Sequence, residues 1–104
     1  MSAEEPRVVG YVRALEGISD AQMNDLQSQV FRAANLRGLT IQALYLDRPT
    51  GQTQFDNAVS MLGHRGSRFL VIPSLEHLNF IEWGSPFTVV ERLTAHGVEV
   101  LIVK

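Results

Sequence analysis

Three short apolar runs constrain this chain more than anything else in it. Residues 8–13 (Val-Val-Gly-Tyr-Val-Arg), 69–72 (Phe-Leu-Val-Ile) and 98–103 (Val-Glu-Val-Leu-Ile-Val) have the length and β-branched content of strands. A strand with one wet face alternates apolar and polar residues, whereas a strand covered on both faces loses that alternation. The runs therefore predict a sheet held between two helix layers. The first run ends in Arg13, which predicts a buried strand delivering one charged group to a surface.

The intervening segments read as helices. Ser19 and Asp20 are good N-cap types, Met23, Leu26, Val30, Ala33 and Leu36 follow at three- and four-residue steps, and Gly38 is placed to end the helix. Phe55, Ala58, Val59 and Leu62 repeat the pattern over a shorter span. Ser85 followed by Pro86 predicts a third helix, running to His96 before Gly97. Residues 39–46 predict another strand, and Thr40 and Gln42 place it at a wet sheet edge. Pro73 ends the third strand. Residues 74–84 predict irregular chain or one loose helical turn. Strand, helix, strand, helix, strand, helix, strand with long crossovers predicts an α/β fold: a single three-layer domain over residues 8–104, with a four-stranded, mainly parallel sheet and helices on both faces. Residues 1–7 are expected to be a flexible N-terminus.

Charge and composition narrow the function. Nine basic and eleven acidic residues leave a formal charge of −2, unlike the basic excess of an autonomous nucleic-acid binder. Without cysteine there is no disulfide, thiol chemistry or cysteine zinc site. The polar, acidic start lacks the pattern of a secretory signal, and no apolar run reaches the roughly 20 residues that span a bilayer. A cytoplasmic protein with no membrane contact is expected.

In parallel α/β sheets functional groups gather beyond the carboxyl ends of the strands. Those ends carry Arg13, Asp47 with Arg48, residues 74–77, and Lys104. Arg13 and Arg48 are candidates to grip an anion, since a guanidinium pairs two oxygens at once; alternatively Arg13 snorkels or pairs with Asp47. Ser74 and His77 are further anion- or DNA-binding candidates. Ser74, Glu76 and His77 also have the residue types of a nucleophilic site, but no Gly-x-Ser-x-Gly elbow surrounds Ser74. His64 and His96 sit where helices end, leaving His77 alone on the functional edge, so no metal site is predicted. No Gly-x-Gly-x-x-Gly or Walker loop follows a strand, and no cofactor is expected. A phosphoacceptor receiver would need acidic residues where Arg13 and Ser74 stand.

Four pieces, taken in order, resemble the N-terminal catalytic domain of resolvase/invertase-type serine recombinases: Gly10-Tyr11-Val12-Arg13; Asp47-Arg48-Pro49-Thr50-Gly51; the run from Phe69 through Pro73-Ser74-Leu75-Glu76-His77-Leu78; and Gly97-Val98-Glu99-Val100. The resemblance implies a resolvase-like fold and a DNA-recombination ancestry. In that family a serine shortly after the arginine attacks a DNA phosphodiester; the matching residue here is Leu15, and the nearest hydroxyl, a possible displaced nucleophile, is Ser19. The family's Leu-Asp-Arg-Leu-x-Arg corresponds to Leu75-Glu76-His77-Leu78-Asn79-Phe80, so both arginines are replaced, and a further family arginine falls on Asp56. Phosphoryl transfer needs positive groups facing the developing charge. The 104 residues also leave no room for the long helix and helix-turn-helix module of the family.

The resemblance and its departures imply a catalytically inactive recombinase-like domain, acting as a protein-interaction or regulatory module. A protein partner or homo-oligomer is expected on residues 75–87, where Leu78, Phe80, Ile81, Trp83 and Phe87 supply apolar area. The alternative is a residual DNA- or phosphate-binding accessory of recombination using Arg13, Arg48, Arg65 and Arg68. The outsider is an unrelated enzyme using His77 and Glu76.

Overall fold

Strand β1, Arg7–Arg13, runs through the middle of the sheet, and all but its first residue are buried. The structure is a computed structural model that describes residues 5–104. The expected flexible N-terminus at residues 1–7 therefore lies, in its first four residues, outside the described chain. The strand itself starts at Arg7, one residue before the expected position. The remaining elements are α1 (Asp20–Leu36), β2 (Ala43–Asp47), α2 (Thr53–Leu62), β3 (Arg68–Ile72), a 3-10 turn (Leu75–Leu78), α3 (Pro86–Ala95) and β4 (Val98–Ile102).

All strand pairs are parallel and the sheet order is β2-β1-β3-β4, so the α/β fold with a four-stranded sheet is as read, with β2 on an edge. The register sets Val9 against both Ala43 and Leu70, and Arg13 against Asp47. Alternate residues of β1 feed two cores. Val8 and Val12 join Val30 and Ala34 under α1, while Val9 and Tyr11 join Phe55, Leu62, Leu70 and Leu93 under α2 and α3. Burying each large apolar side chain contributes about 1.5–3 kcal/mol. Between Val8 and Val12 stands Gly10, where a Cβ would lie 2.7 Å from Leu44 Cδ1 and 2.9 Å from Val30 Cγ1. Its missing side chain is what lets α1 sit close to β1.

Helix starts follow the expected chemistry. Ser19 Oγ accepts the Gln22 amide at 3.1 Å while Gln22 Oε1 accepts the Ser19 amide at 2.9 Å, a complete capping box. Ser85 caps α3, with Pro86 first in the helix. The strand expected over residues 39–46 is shorter and shifted. Leu39 donates its amide back to Ala34 to close α1, and Leu39 and Ile41 pack against the α1-side core as loop residues before β2 begins at Ala43. Among the described residues no helix is long and apolar enough to cross a membrane.

Candidate functional site

Because side chains on a strand alternate faces, Tyr11 and Arg13 point to the same side of the sheet, toward α2 and the 3-10 turn. Arg13 is wholly buried and sits at the centre of a polar cluster on the carboxyl edge. Its Nη1 donates to the carbonyls of Arg48 (3.0 Å), Pro49 (3.1 Å) and Gly51 (2.6 Å), and its Nε donates to the carbonyl of His77 at 3.2 Å. Nη2 donates to Tyr11 Oη at 3.0 Å. The guanidinium thus fastens the β2–α2 loop and the 3-10 turn to the end of β1.

Asp47, at the end of β2, plays the complementary part. Its Oδ2 accepts the Tyr11 hydroxyl at 2.7 Å and the Phe55 amide at 3.0 Å, and Oδ1 accepts the Gln54 amide at 3.0 Å. Gln52, the residue preceding α2, makes no side-chain cap, so a carboxylate from the neighbouring strand supplies it. Burial, followed by the hydrogen bond to Asp47, raises the Tyr11 hydroxyl far above the ordinary tyrosine range. The phenol stays protonated and links Arg13 to Asp47.

His77 is also buried, and its Nδ1 accepts the Arg13 backbone amide at 2.9 Å. That bond fixes the neutral tautomer with its proton on Nε2. Burial lowers the His77 pKa, Glu76 raises it, and Arg13 lowers it further.

The anion-site candidates are therefore placed unequally. Arg13 and His77 meet, but both are inside the protein and engaged with it, so neither presents an open pair of donors to a ligand. Arg13 neither snorkels out nor pairs directly with Asp47; Tyr11 stands between them. Arg48 has an exposed side chain and contributes only its carbonyl to the cluster. Ser74 is half-buried, with Glu76 Oε1 as its partner at 3.4 Å. Leu15, which the sequence resemblance sets at the nucleophile position, is a half-buried hydrocarbon, and the Ser19 hydroxyl is taken up in capping α1. Asp56 is exposed on α2, accepting from Gln52 at 3.0 Å.

The four arginines of the DNA-accessory expectation do not converge. Arg68 opens β3 and so lies at the opposite, amino end of the sheet from Arg13. It is buried, and it donates to the carbonyls of Gly63, Gly66 and His96, closing the ends of α2 and α3 together. Arg65 is exposed in the loop before it. The apolar interface candidates also divide. Leu78, in the 3-10 turn, and Ile81, after it, are core residues, 0% and 3% exposed, clustered with Val89 and Leu93 of α3. Trp83 is half-buried, edge-on to Phe55 at 5.3 Å between ring centroids, with Arg92 4.5 Å from its own ring centroid. Phe80 and Phe87 are 63% and 68% exposed. Phe80 also holds a φ of 68°, the left-handed region that a bulky side chain rarely adopts.

Tyr11 was not visible as a site member in the sequence, and Asp47, placed on the same edge, was read as a possible partner of Arg13 and not as the cap of α2. The available signal was spacing: Tyr11 is two residues before Arg13 on one strand, and any partner of Arg13 on that face meets Tyr11 as well.

Comparison with solved structures places this geometry in a known fold. The chain is similar to the crystal structure of a serine recombinase from Sulfolobus solfataricus, with a TM-score of 0.63 and 18% sequence identity, covering 96% of this chain and 69% of the other. The domain has a serine-recombinase-like, resolvase-type α/β fold. No protein-family model and no curated protein sequence matches the chain.

Proposed function

We propose that this chain is a recombinase-fold domain without phosphoryl-transfer activity, which works by binding another protein chain, either a different partner or a second copy. The observation that carries the reading is the state of Arg13. The one arginine kept from the recombinase pattern is 0% exposed and donates to four carbonyls and a hydroxyl of its own protein. A group that stabilises a reacting phosphate must instead face the place where charge develops. Leu15 in place of the nucleophile and Asp56 in place of a further arginine support the same reading.

The binding surface is assigned to Phe80 and Phe87, with the exposed side of Trp83 between them in sequence. Exposed aromatics are enriched at interface centres, and a strained residue held out in solvent is more common at functional sites than elsewhere. The DNA-accessory reading has less support, since Arg48 and Arg65 lie at opposite ends of the sheet.

Two measurements test the proposal together. Labelled duplex DNA titrated with the protein at low salt is expected to show no saturable anisotropy change and no covalent protein–DNA adduct. Salt-sensitive binding that Arg48→Ala weakens would put the DNA-accessory reading ahead of the interaction reading. Sedimentation velocity of the wild type against Phe80→Ser and Phe87→Ser tests self-association; a monomer at all concentrations removes the second copy as partner.

A further inference from the structure

We propose that His77 is an acid-operated latch: neutral, it holds the 3-10 turn onto the end of β1, and on protonation it releases that turn and the loop that follows. The inference starts from two bonds between the same two residues. The Arg13 backbone amide donates to His77 Nδ1 at 2.9 Å, and Arg13 Nε donates to the His77 carbonyl at 3.2 Å. A ring nitrogen that accepts an N–H cannot carry its own proton in that arrangement. The neutral ring already bears hydrogen on Nε2, so the next proton goes to Nδ1 and places two N–H groups head to head. Protonation and the native position of the ring exclude each other on geometry alone.

The surroundings offer the cation little help. From β1 comes the Arg13 guanidinium, and beyond it the Tyr11 hydroxyl, already donated to Asp47. From the 3-10 turn itself comes Glu76, an exposed carboxylate. From α3, which also packs on the turn, come Glu91 and Arg92, both exposed, with Arg92 held over the Trp83 ring. From the β2–α2 loop comes only the Arg48 carbonyl, already taken by Arg13, while the Arg48 side chain is exposed. The ring is 1% exposed, so water cannot solvate an imidazolium in place. Burial holds the pKa below the ordinary histidine value, as this geometry requires.

Release would travel in one direction. Asn79 follows the turn in extended backbone, and Phe80 then adopts its left-handed φ of 68°. That conformation persists only while its neighbours hold it. Trp83, packed edge-on to Phe55, is a built-in reporter of whether the loop is seated. Opening the latch also removes two of the contacts that enclose Arg13.

The test is residue-resolved NMR on the full chain, from about pH 7.5 to about pH 4.5. At the upper end the His77 ring is expected as the Nε2–H tautomer, with its Arg13 partner amide strongly protected. As His77 protonates, protection of the Arg13 amide falls at least roughly tenfold and Trp83 emission shifts with the same midpoint. His64 and His96, both exposed, are separated by assignment. His77→Asn keeps an acceptor oxygen near the Nδ1 position with nothing to protonate, and is expected to fold and lose the transition. The proposal is overturned if His77 protonates while the Arg13 amide and Trp83 stay unchanged, or if His77→Asn shows the transition at the wild-type midpoint. Should that variant fail to fold, the wild-type titration decides alone.

Discussion

Tyr11 and Asp47, on adjacent strands, are joined by a 2.7 Å hydrogen bond from the tyrosine hydroxyl to a carboxylate that also caps α2 through the amides of Gln54 and Phe55. One side chain therefore couples strand pairing, helix initiation and the setting of Arg13. Asp47→Ala is expected to cost about 2–4 kcal/mol in urea unfolding, more than an ordinary lost cap, because Tyr11 is left with a buried hydroxyl short of its acceptor. Tyr11→Phe, which also strips Arg13 of one acceptor, should cost about 1–2 kcal/mol. Additive losses in the double variant would mean the two residues are not coupled.

Arg13→Ala is expected to destabilise by about 3–5 kcal/mol, since it leaves several convergent carbonyls inside the protein without donors. Arg13→Lys should recover little, because a lysine lacks the planar fork that reaches the loop and the 3-10 turn at once. Low millimolar methylguanidinium should raise the Tm of the alanine variant and leave that of the wild type unchanged. A Tm of Arg13→Ala matching wild type would show that the cluster contributes nothing to holding the loop.

Stability is expected to fall on acidification through His77. Its folded pKa is lowered by burial, so between the ordinary value of about 6.5 and the lower folded value the unfolded chain binds the proton first. The stabilisation is complete above that window and is lost as pH drops through it, with a slope of at most about 1.4 kcal/mol per pH unit for one proton. Equilibrium unfolding at several pH values should show this slope in the wild type and a flatter line in His77→Asn.

Gly10→Ala should cost about 1–3 kcal/mol, because the added methyl meets Val30 Cγ1 and Leu44 Cδ1 below 3.0 Å and Val30, β-branched on a helix, has no free rotamer to yield. A silent substitution in thermal unfolding would mean that α1 can shift away from β1 freely.

Phe80→Gly is expected to gain about 1 kcal/mol by relieving the left-handed backbone, while removing the aromatic ring assigned to partner binding. Stability rising as association falls would mark Phe80 as a residue kept for its surface. Loss of stability would mean instead that the ring supports the fold, for instance through its contact with Arg13, 5.9 Å from the ring centroid.

Much of the fold was legible because its signals are periodic. The unalternating runs gave β1, β3 and β4, the three- and four-residue steps gave the helices, and Ser19 and Ser85 marked starts that the cap hydrogen bonds bear out. Leu39 and Ile41 misled because apolar loop residues packed on a core look like a strand until the backbone is seen. The site was less legible for a related reason. In an irregular segment such as residues 79–84 no period tells inward from outward, so Ile81 and Phe80, adjacent in sequence, could not be separated into core and surface. Arg13 was found as a position but not as a role: how many carbonyls converge on a guanidinium depends on loop backbone, which residue types do not encode.

The sheet order has a consequence for how the chain is made. Of the four strands β1 is made before the others, yet it lies between β2 and β3, and its Val9 must wait for Leu70. Until His77 and Gly51 have been synthesised, Arg13 lacks the carbonyls that enclose it. A nascent chain stopped before β3 therefore presents an apolar strand with one side open, the kind of segment chaperones hold. The sheet can close around β1 only after the third strand, and the His77 turn that follows it, have been made.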